Sequence, residues 1–556
     1  MLLTAPLAAT LLLVPALPVN VSSCGTWTAP SDPNAVITVP AGECLAVRTS
    51  ASLAFRGIHV VGQLVLDTSL ARVGAPIDVA ITAEYIFVEG IFAIRTADDA
   101  VVPAPTGRIS ITLIAPHDGR TDFVFQSLKR PSAPAIAVGV KCFVVWGGQL
   151  DMRALPRSPA CVSWARLEDV SADGELVLDR AVGPCWAAGA ELLVTSHTML
   201  HTDAQTATIQ SSSGNRVFLT APLVRPTTLT DSADFAVEVA LLSRNVVIQG
   251  AEDDLDKRRI GAHLMVMDTP SVAQTIHGLL FLRMGQQGLL GRYPVHTHMC
   301  RRVDGTSFTH NVIRTSHQRC INIHGTDNVL VQDNVAFETA GHWCGTRECR
   351  ARSASFRPPP GACGRPHRLP LAPDALRGAR AIARSFLTED GGETGNAFVR
   401  NLGASTLRVT ALIRPEETDD RASTFWMSNG NNTWEGNVAA GCADAGFWLE
   451  LRTRVRPPTR ATPADYAPSR VPIRRFVDNV AHSNGLRGAW RSVARKARAN
   501  EGTSRLIPRP TRRAVRRQAS KTTRARTSNR NPSTHTTRAR WALASSTLRR
   551  TGTRTA

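Results

Sequence analysis

Residues 307–342 read SFTHNVIRTSHQRCINIHGTDNVLVQDNVAFETAGH, and the spacing of their asparagines decides the fold. His-Asn-Val at Asn311 and Asp-Asn-Val at Asn334 lie 23 residues apart. Val-Arg-Asn at Asn401 follows 67 residues later, or 25 once the 42 residues from Trp343 to Arg384 are set aside. Gly-Asn-Val at Asn437 and Asp-Asn-Val at Asn479 continue the series with longer loops. A hydrophobic strand plus Asn at this period predicts a right-handed parallel β-helix, whose coils stack like residues into ladders. Each Asn is then expected to face inward and satisfy turn backbone. Counting thirteen residues from Asn311, Asn334 and Asn437 gives His324, Glu389 and Glu450, again without the 42 residues. The three are expected in one column, His324 and Glu389 in adjacent coils about 5 Å apart. Arg319 and His342 are expected to share a second column.

Upstream, from Cys24 to Gly119, short β-rich runs such as AVITVPAGECLAV (35–47), IHVVGQLVLDTS (58–69) and GRISITLIA (107–115) are punctuated by Gly, Pro and Asp. Strand-length alternation at this spacing means an all-β module. The pattern continues through GELVLDRAV (174–182) and NVVIQG (245–250), with no amphipathic helix. The expected fold class is therefore all-β. An N-terminal β domain over 24–150 and a β-rich connecting region over 151–260 precede a right-handed parallel β-helix over 261–490. A disordered basic C-terminal tail occupies 491–556.

The net charge of +20 is unevenly placed. Residues 491–556 hold 19 basic side chains and one acid, and residues 343–384 hold nine Arg and two acids, leaving −5 on the rest. A nucleic-acid partner is not expected, because the basicity lies outside the patterned core. The tail lacks aliphatic periodicity, and the 343–384 segment is rich in Pro, Arg and Gly, so both are expected to be disordered. We read 343–384 as retained intron sequence and the tail as the product of a wrong splice or frame. Continuous transcript coverage through the insert would contradict this.

Outside the insert the cysteines are Cys24, Cys44, Cys142, Cys161, Cys185, Cys300, Cys320 and Cys442. An even set favours disulfides; Cys24–Cys44, Cys161–Cys185 and Cys300–Cys320 are the candidate local pairs, with the connectivity left open by the sequence. Residues 1–19, MLLTAPLAATLLLVPALPV, are apolar but short and broken by prolines, as in a cleavable signal peptide. No later run is long enough to span a membrane. Asn20 and Asn431 begin glycosylation sequons. The mature protein is expected to be secreted and extracellular.

Histidines crowd at His296, His298, His317, His324 and His342. Such a cluster points to a site, since histidine titrates near neutrality and ligates metals.

At these residues the chain resembles the cell-migration-inducing hyaluronidase family. RMGQQGLLGRYPVHTHMC, SHQRCINIHGTDNVLVQDNVAFETAGH, SFLTEDGGETGN, STFWMSNGNN and FVDNVAHSN carry the likeness. The region over 24–150 is similar to the eight-glycine β domain of that family. The likeness covers roughly 24–342 and 385–490. It departs at the insert, which separates Gly341-His342 from Glu389-Asp390-Gly391, and at Arg301-Arg302, where the family typically has Gly-Asp. Asp304 is the nearest acid to take over there.

The resemblance implies an extracellular protein that binds and depolymerises hyaluronan or a related acidic polysaccharide. A β-helix groove suits a linear polymer, and glycosidic cleavage needs a proton donor plus a base or nucleophile. Glu389 and Asp390 are the candidate catalytic carboxylates, with His324 and His342 tuning or replacing them. Arg292 and Arg319 suit uronate carboxylates. His296 and His298, two apart on one strand, bind substrate or, with Asp390, a divalent cation, for which calcium is the rival ion. Two other functions stay open: a non-catalytic matrix or adhesion module, and a uronate lyase using an Arg base.

Overall fold

The computed structural model describes residues 18–28, 30, 32–97, 106–154, 161–171, 173–198, 200–223, 237–339, 384–408, 422–456, 462–463 and 465–493. Among them the chain winds as a parallel β-helix with three faces. One coil sets the pattern. Val295–Arg302 lies on one face, Ser307–Thr309 on the second and Val312–Arg314 on the third; Ile321–Asp327 then starts the next coil. Val295 pairs with Ile321, Phe308 with Val331 and Ile313 with Ala336, all in parallel. These side chains point inward and are buried, forming one continuous core. The Val, Ile and Phe side chains among them each contribute about 1.5–3 kcal/mol relative to exposure.

The asparagine series forms a ladder along this core. Asn334 Oδ1 accepts from the Asn311 backbone N–H at 3.0 Å, and Asn401 Oδ1 from that of Asn334 at 3.1 Å. Asn437 and Asn479 extend it with bonds of 3.0 Å each. The side-chain amides also donate to strand carbonyls, as Asn334 does to Phe308 at 2.8 Å. The residue before each, namely His310, Asp333, Arg400, Gly436 and Asp478, has φ between 52° and 63°. That left-handed corner turns the chain from one face to the next, and the amide meets backbone groups that the corner leaves unpaired.

The parallel sheets also include the region from Cys24 to Gly119. Val144 pairs with Phe87 on one side and Met265 on the other, so N-terminal strands continue into the coils after residue 261. Those first coils lack the ladder motif, and only their strand lengths were legible. Between Gln149–Arg153 and Val246–Gly250 the chain leaves the solenoid and closes a six-stranded antiparallel barrel within residues 164–241. The barrel has its own core, including Leu176, Trp186, Val217 and Val239. It docks on the third face: Trp164 packs among Val312, Val335 and Leu402, and its indole donates to the Arg400 carbonyl at 2.8 Å.

Residues 1–17 of the expected signal peptide, His342, the insert up to residue 383 and the tail beyond residue 493 lie outside the described residues. On both sides of the insert the stack runs on, with Ile321 paired to Phe386 and Leu330 to Ala397. Thr339 Oγ1 meets Ser385 Oγ at 2.9 Å, so the chain leaves and re-enters the solenoid at one corner.

Cys24–Cys44 and Cys161–Cys185 are bonded, with Cα atoms 4.6 and 5.7 Å apart. The expected Cys300–Cys320 bridge does not form; both thiols are free and buried. The register explains why. Val295 pairs with Ile321, which sets Cys320 beside Pro294, six positions along the strand from Cys300. That offset is roughly 20 Å, far beyond disulfide reach.

Candidate functional site

Alternation along Val295–Arg302 sends His296 and His298 outward on the same side. Past His298 the strand bulges: Met299 and Arg301 take positive φ, and the register with the next coil slips. Such bulges re-aim side chains beside a site. In the neighbouring coil His296 pairs with Asn322 and His298 with His324. One coil further, Ile323 pairs with Thr388, and the Glu389 N–H donates to the Ile323 carbonyl at 3.0 Å. His324 and Glu389 thus share a column, Nδ1 to Oε2 at 3.8 Å. Glu450 lies further along, accepting from the Trp448 indole at 2.9 Å, away from the cavity.

Glu389 collects donors. Its Oε1 accepts from Arg319 at 3.3 Å and the Tyr293 hydroxyl at 3.4 Å, and its Oε2 accepts from Asn322 at 2.5 Å. Burial opposes ionisation, but His324, Arg319, His296 and Asn322 outweigh it and hold the carboxyl well below its usual range. His324 Nε2 meets Asp390 Oδ2 at 2.8 Å. Burial disfavours the charge on His324, yet Asp390, Glu389 and Glu393 together raise its pKa to about 9. Burial and neighbouring histidines push His296 well down and His298 to about 4. Glu393 accepts backbone N–H bonds from Gly325, Asp390 and Gly391 at 3.1, 3.0 and 2.9 Å, bracing the turn. Gly391 has φ of 95°, and a Cβ there would lie 2.8 Å from Pro468 Cγ, so the acidic turn requires glycine.

These groups border a cavity of about 290 Å³, walled by Ile136–Val138, Met265 and Met267. Of the residues nominated from sequence, Arg292, His296, His298, Arg319, His324, Glu389 and Asp390 all line it. His317 does not; it bonds Asp256 at 2.7 Å. Asp304 is exposed, tied to Arg302 and Asn328. Asn20 and Asn431 are exposed. Ligand nitrogens of His296, His298 and His324 lie within 4.8 Å of one another. Asp390, nominated beside the first two as a metal ligand, instead contacts the far nitrogen of His324. Tyr293, Asn322 and Glu393 were not foreseen. Asn322 had a signal, sitting two residues before His324 on one strand; Tyr293 and Glu393 had only their proximity to the motifs.

Residues 259–352 and 381–489 match a family model described as CEMIP beta-helix. Over these residues the chain is similar to the CEMIP β-helix family. The match omits 353–380, inside the insert. Human cell surface hyaluronidase CEMIP2 is 28% identical over 300 residues, covering 47% of this chain and 18% of that protein. Mouse Fibrocystin-L is 25% identical over 410 residues, covering 65% of this chain and 8% of its own length. A G8 domain-containing protein of Dictyostelium discoideum is 25% identical over 343 residues, covering 58% of this chain and 20% of its own. The chain thus spans a fifth or less of these curated relatives. Among the described residues no helix is long and apolar enough to cross a membrane.

Proposed function

We propose that this is a secreted protein that binds and cleaves hyaluronan or a related acidic polysaccharide in the cavity beside His296, His324 and Glu389. The observation that carries this function is the convergence of Arg292 and Arg319 with Glu389 and Asp390 on one outer face of a solenoid. An elongated β-helix lets a linear polymer run along its coils. Arg292 is the cation that meets a uronate carboxylate, for which guanidinium geometry is suited. Arg319 holds Glu389 ionised. Glu389 and Asp390 flank the His324 ring as the acid/base carboxylates. The names of CEMIP2 and of a zebrafish relative, both cell surface hyaluronidases, support the substrate class.

The competing function is a non-catalytic extracellular module, favoured by the longer match to Fibrocystin-L. Sizing long hyaluronan after incubation with the secreted chain separates the two. We expect shortening by the native chain and a loss of about 100-fold or more in rate for Glu389→Gln. Binding without shortening would favour the module, and unsaturated product ends would indicate a lyase.

A further inference from the structure

We propose that His296, His298 and His324 form a seat for one divalent transition metal of the zinc class. The seat lies in the same cavity as the proposed polysaccharide site but does not depend on that substrate. Each histidine enters with one nitrogen, all within 4.8 Å of one another. That compactness alone is weak, and the contacts made behind two of the rings supply the stronger argument.

His296 is 1% exposed, and its Nδ1 meets the Gly291 carbonyl oxygen at 3.0 Å. A carbonyl only accepts, so Nδ1 carries the proton and Nε2 is left as a lone pair. That Nε2 is buried without a hydrogen-bond partner. Leaving a buried acceptor unpaired costs about 1–3 kcal/mol, a cost that a bound cation removes. His324 is built the same way from the other end of its ring. Its Nε2 meets Asp390 Oδ2 at 2.8 Å, which turns Nδ1 toward His298 Nδ1, 3.0 Å away. Two imidazole nitrogens at that distance share either a proton or a cation. On a tetrahedral ion with metal–nitrogen bonds of about 2.0–2.1 Å, neighbouring ligands stand about 3.3 Å apart, so little adjustment is needed.

A carbonyl behind one ring and a carboxylate behind another are the outer partners that fix tautomer and orientation in metal-binding histidines. The backbone supports the arrangement as well. His296 and His298 alternate on one strand, and His324 pairs with His298 on the next. Three protein nitrogens with the cavity beside them leave room for a further ligand. Nitrogen donors select zinc, copper, nickel or cobalt rather than calcium, which takes six to eight oxygens. The nearby Glu389 oxygens are already engaged by Arg319, Tyr293 and Asn322.

Cobalt(II) titration of the chelator-treated full chain tests the seat without any polysaccharide, so its failure is separate from failure of the proposed function. We expect one equivalent to bind with a visible d–d absorption band, bleached by zinc and untouched by calcium. His296→Ala and His298→Ala together should abolish the band, and Asp390→Asn should weaken binding by about 10–100-fold through loss of ring orientation. His117→Ala, which removes a histidine outside the cavity lining and bonded to Glu84, should change nothing. If the double variant does not fold, His298→Gln replaces it. Absence of a band in the native chain, or a band that survives loss of the histidines, would overturn the site.

Discussion

Phe87, Val144 and Met265 present apolar side chains in the same outward column that next presents His296 and Asn322, then returns to Leu387, Trp426 and Trp448. At the lower end an antiparallel hairpin, Phe123–Phe125 with Ile136–Gly139, covers the face, with Phe125 stacked on Phe87 at 4.3 Å. At the upper end Trp426 and Trp448 stack at 5.4 Å. Between them the polar groups interrupt the column for two coils. One residue away, the inward column runs Phe143, Leu264, Val295, Ile321, Phe386, Phe425 and Phe447 without a polar member. The solenoid thus keeps its inward surface constant and varies its chemistry outward. A site is added by changing alternate side chains, with the register slipping only at the bulge past His298.

The two surfaces should respond differently to the same substitution. Asn334→Ala removes a ladder rung and strands the Asn311 N–H and the Phe308 carbonyl. We expect a loss of about 2–4 kcal/mol in denaturant unfolding. Asn322→Ala, which faces outward, should cost less stability and mainly impair the site. Equal losses would erase the distinction between ladder and window.

A smaller effect belongs to His310, at a ladder corner outside the cavity lining. Burial, with Arg244 and Arg400 nearby, lowers its pKa to about 4 in the folded chain. Unfolded histidine takes up a proton near pH 6.5, so the stability is present above that value and is lost as pH falls toward 4. The loss is about 2 kcal/mol by pH 5. His310→Gln should flatten this part of the stability profile; an unchanged slope would assign it elsewhere.

The smallest effect is expected from deleting 353–380. Thr339 and Ser385 already meet across the insertion point, and the CEMIP match passes over these residues. Shortening a loop of this kind changes closure entropy by less than about 1 kcal/mol. A large destabilisation would mean that the insert packs against the solenoid.

Much of this is legible in the sequence alone. The asparagine period located the ladder and the shared column of His324 and Glu389, because a solenoid converts sequence spacing directly into stacking. Cys24–Cys44 and Cys161–Cys185 were legible as near neighbours. Cys300 and Cys320 misled for the reason the ladder succeeded: a separation close to one coil suggests adjacency, but their offset along the strand depends on corner lengths that spacing does not reveal. The barrel was hidden because its strands alternate like those of the coils around it. Glu393 was missed because its work is backbone capping, which depends on the turn after Gly391.

The central claim is that the outer window, and not the rest of the surface, recognises an acidic polymer. Calorimetric titration with a hyaluronan oligosaccharide tests it most directly, comparing Arg292→Ala in the cavity with Arg216→Ala on the barrel. We expect Kd to rise about tenfold or more for Arg292→Ala, equivalent to about 1.4 kcal/mol, and to stay unchanged for Arg216→Ala. Equal weakening by both, or none by Arg292→Ala, would contradict the claim.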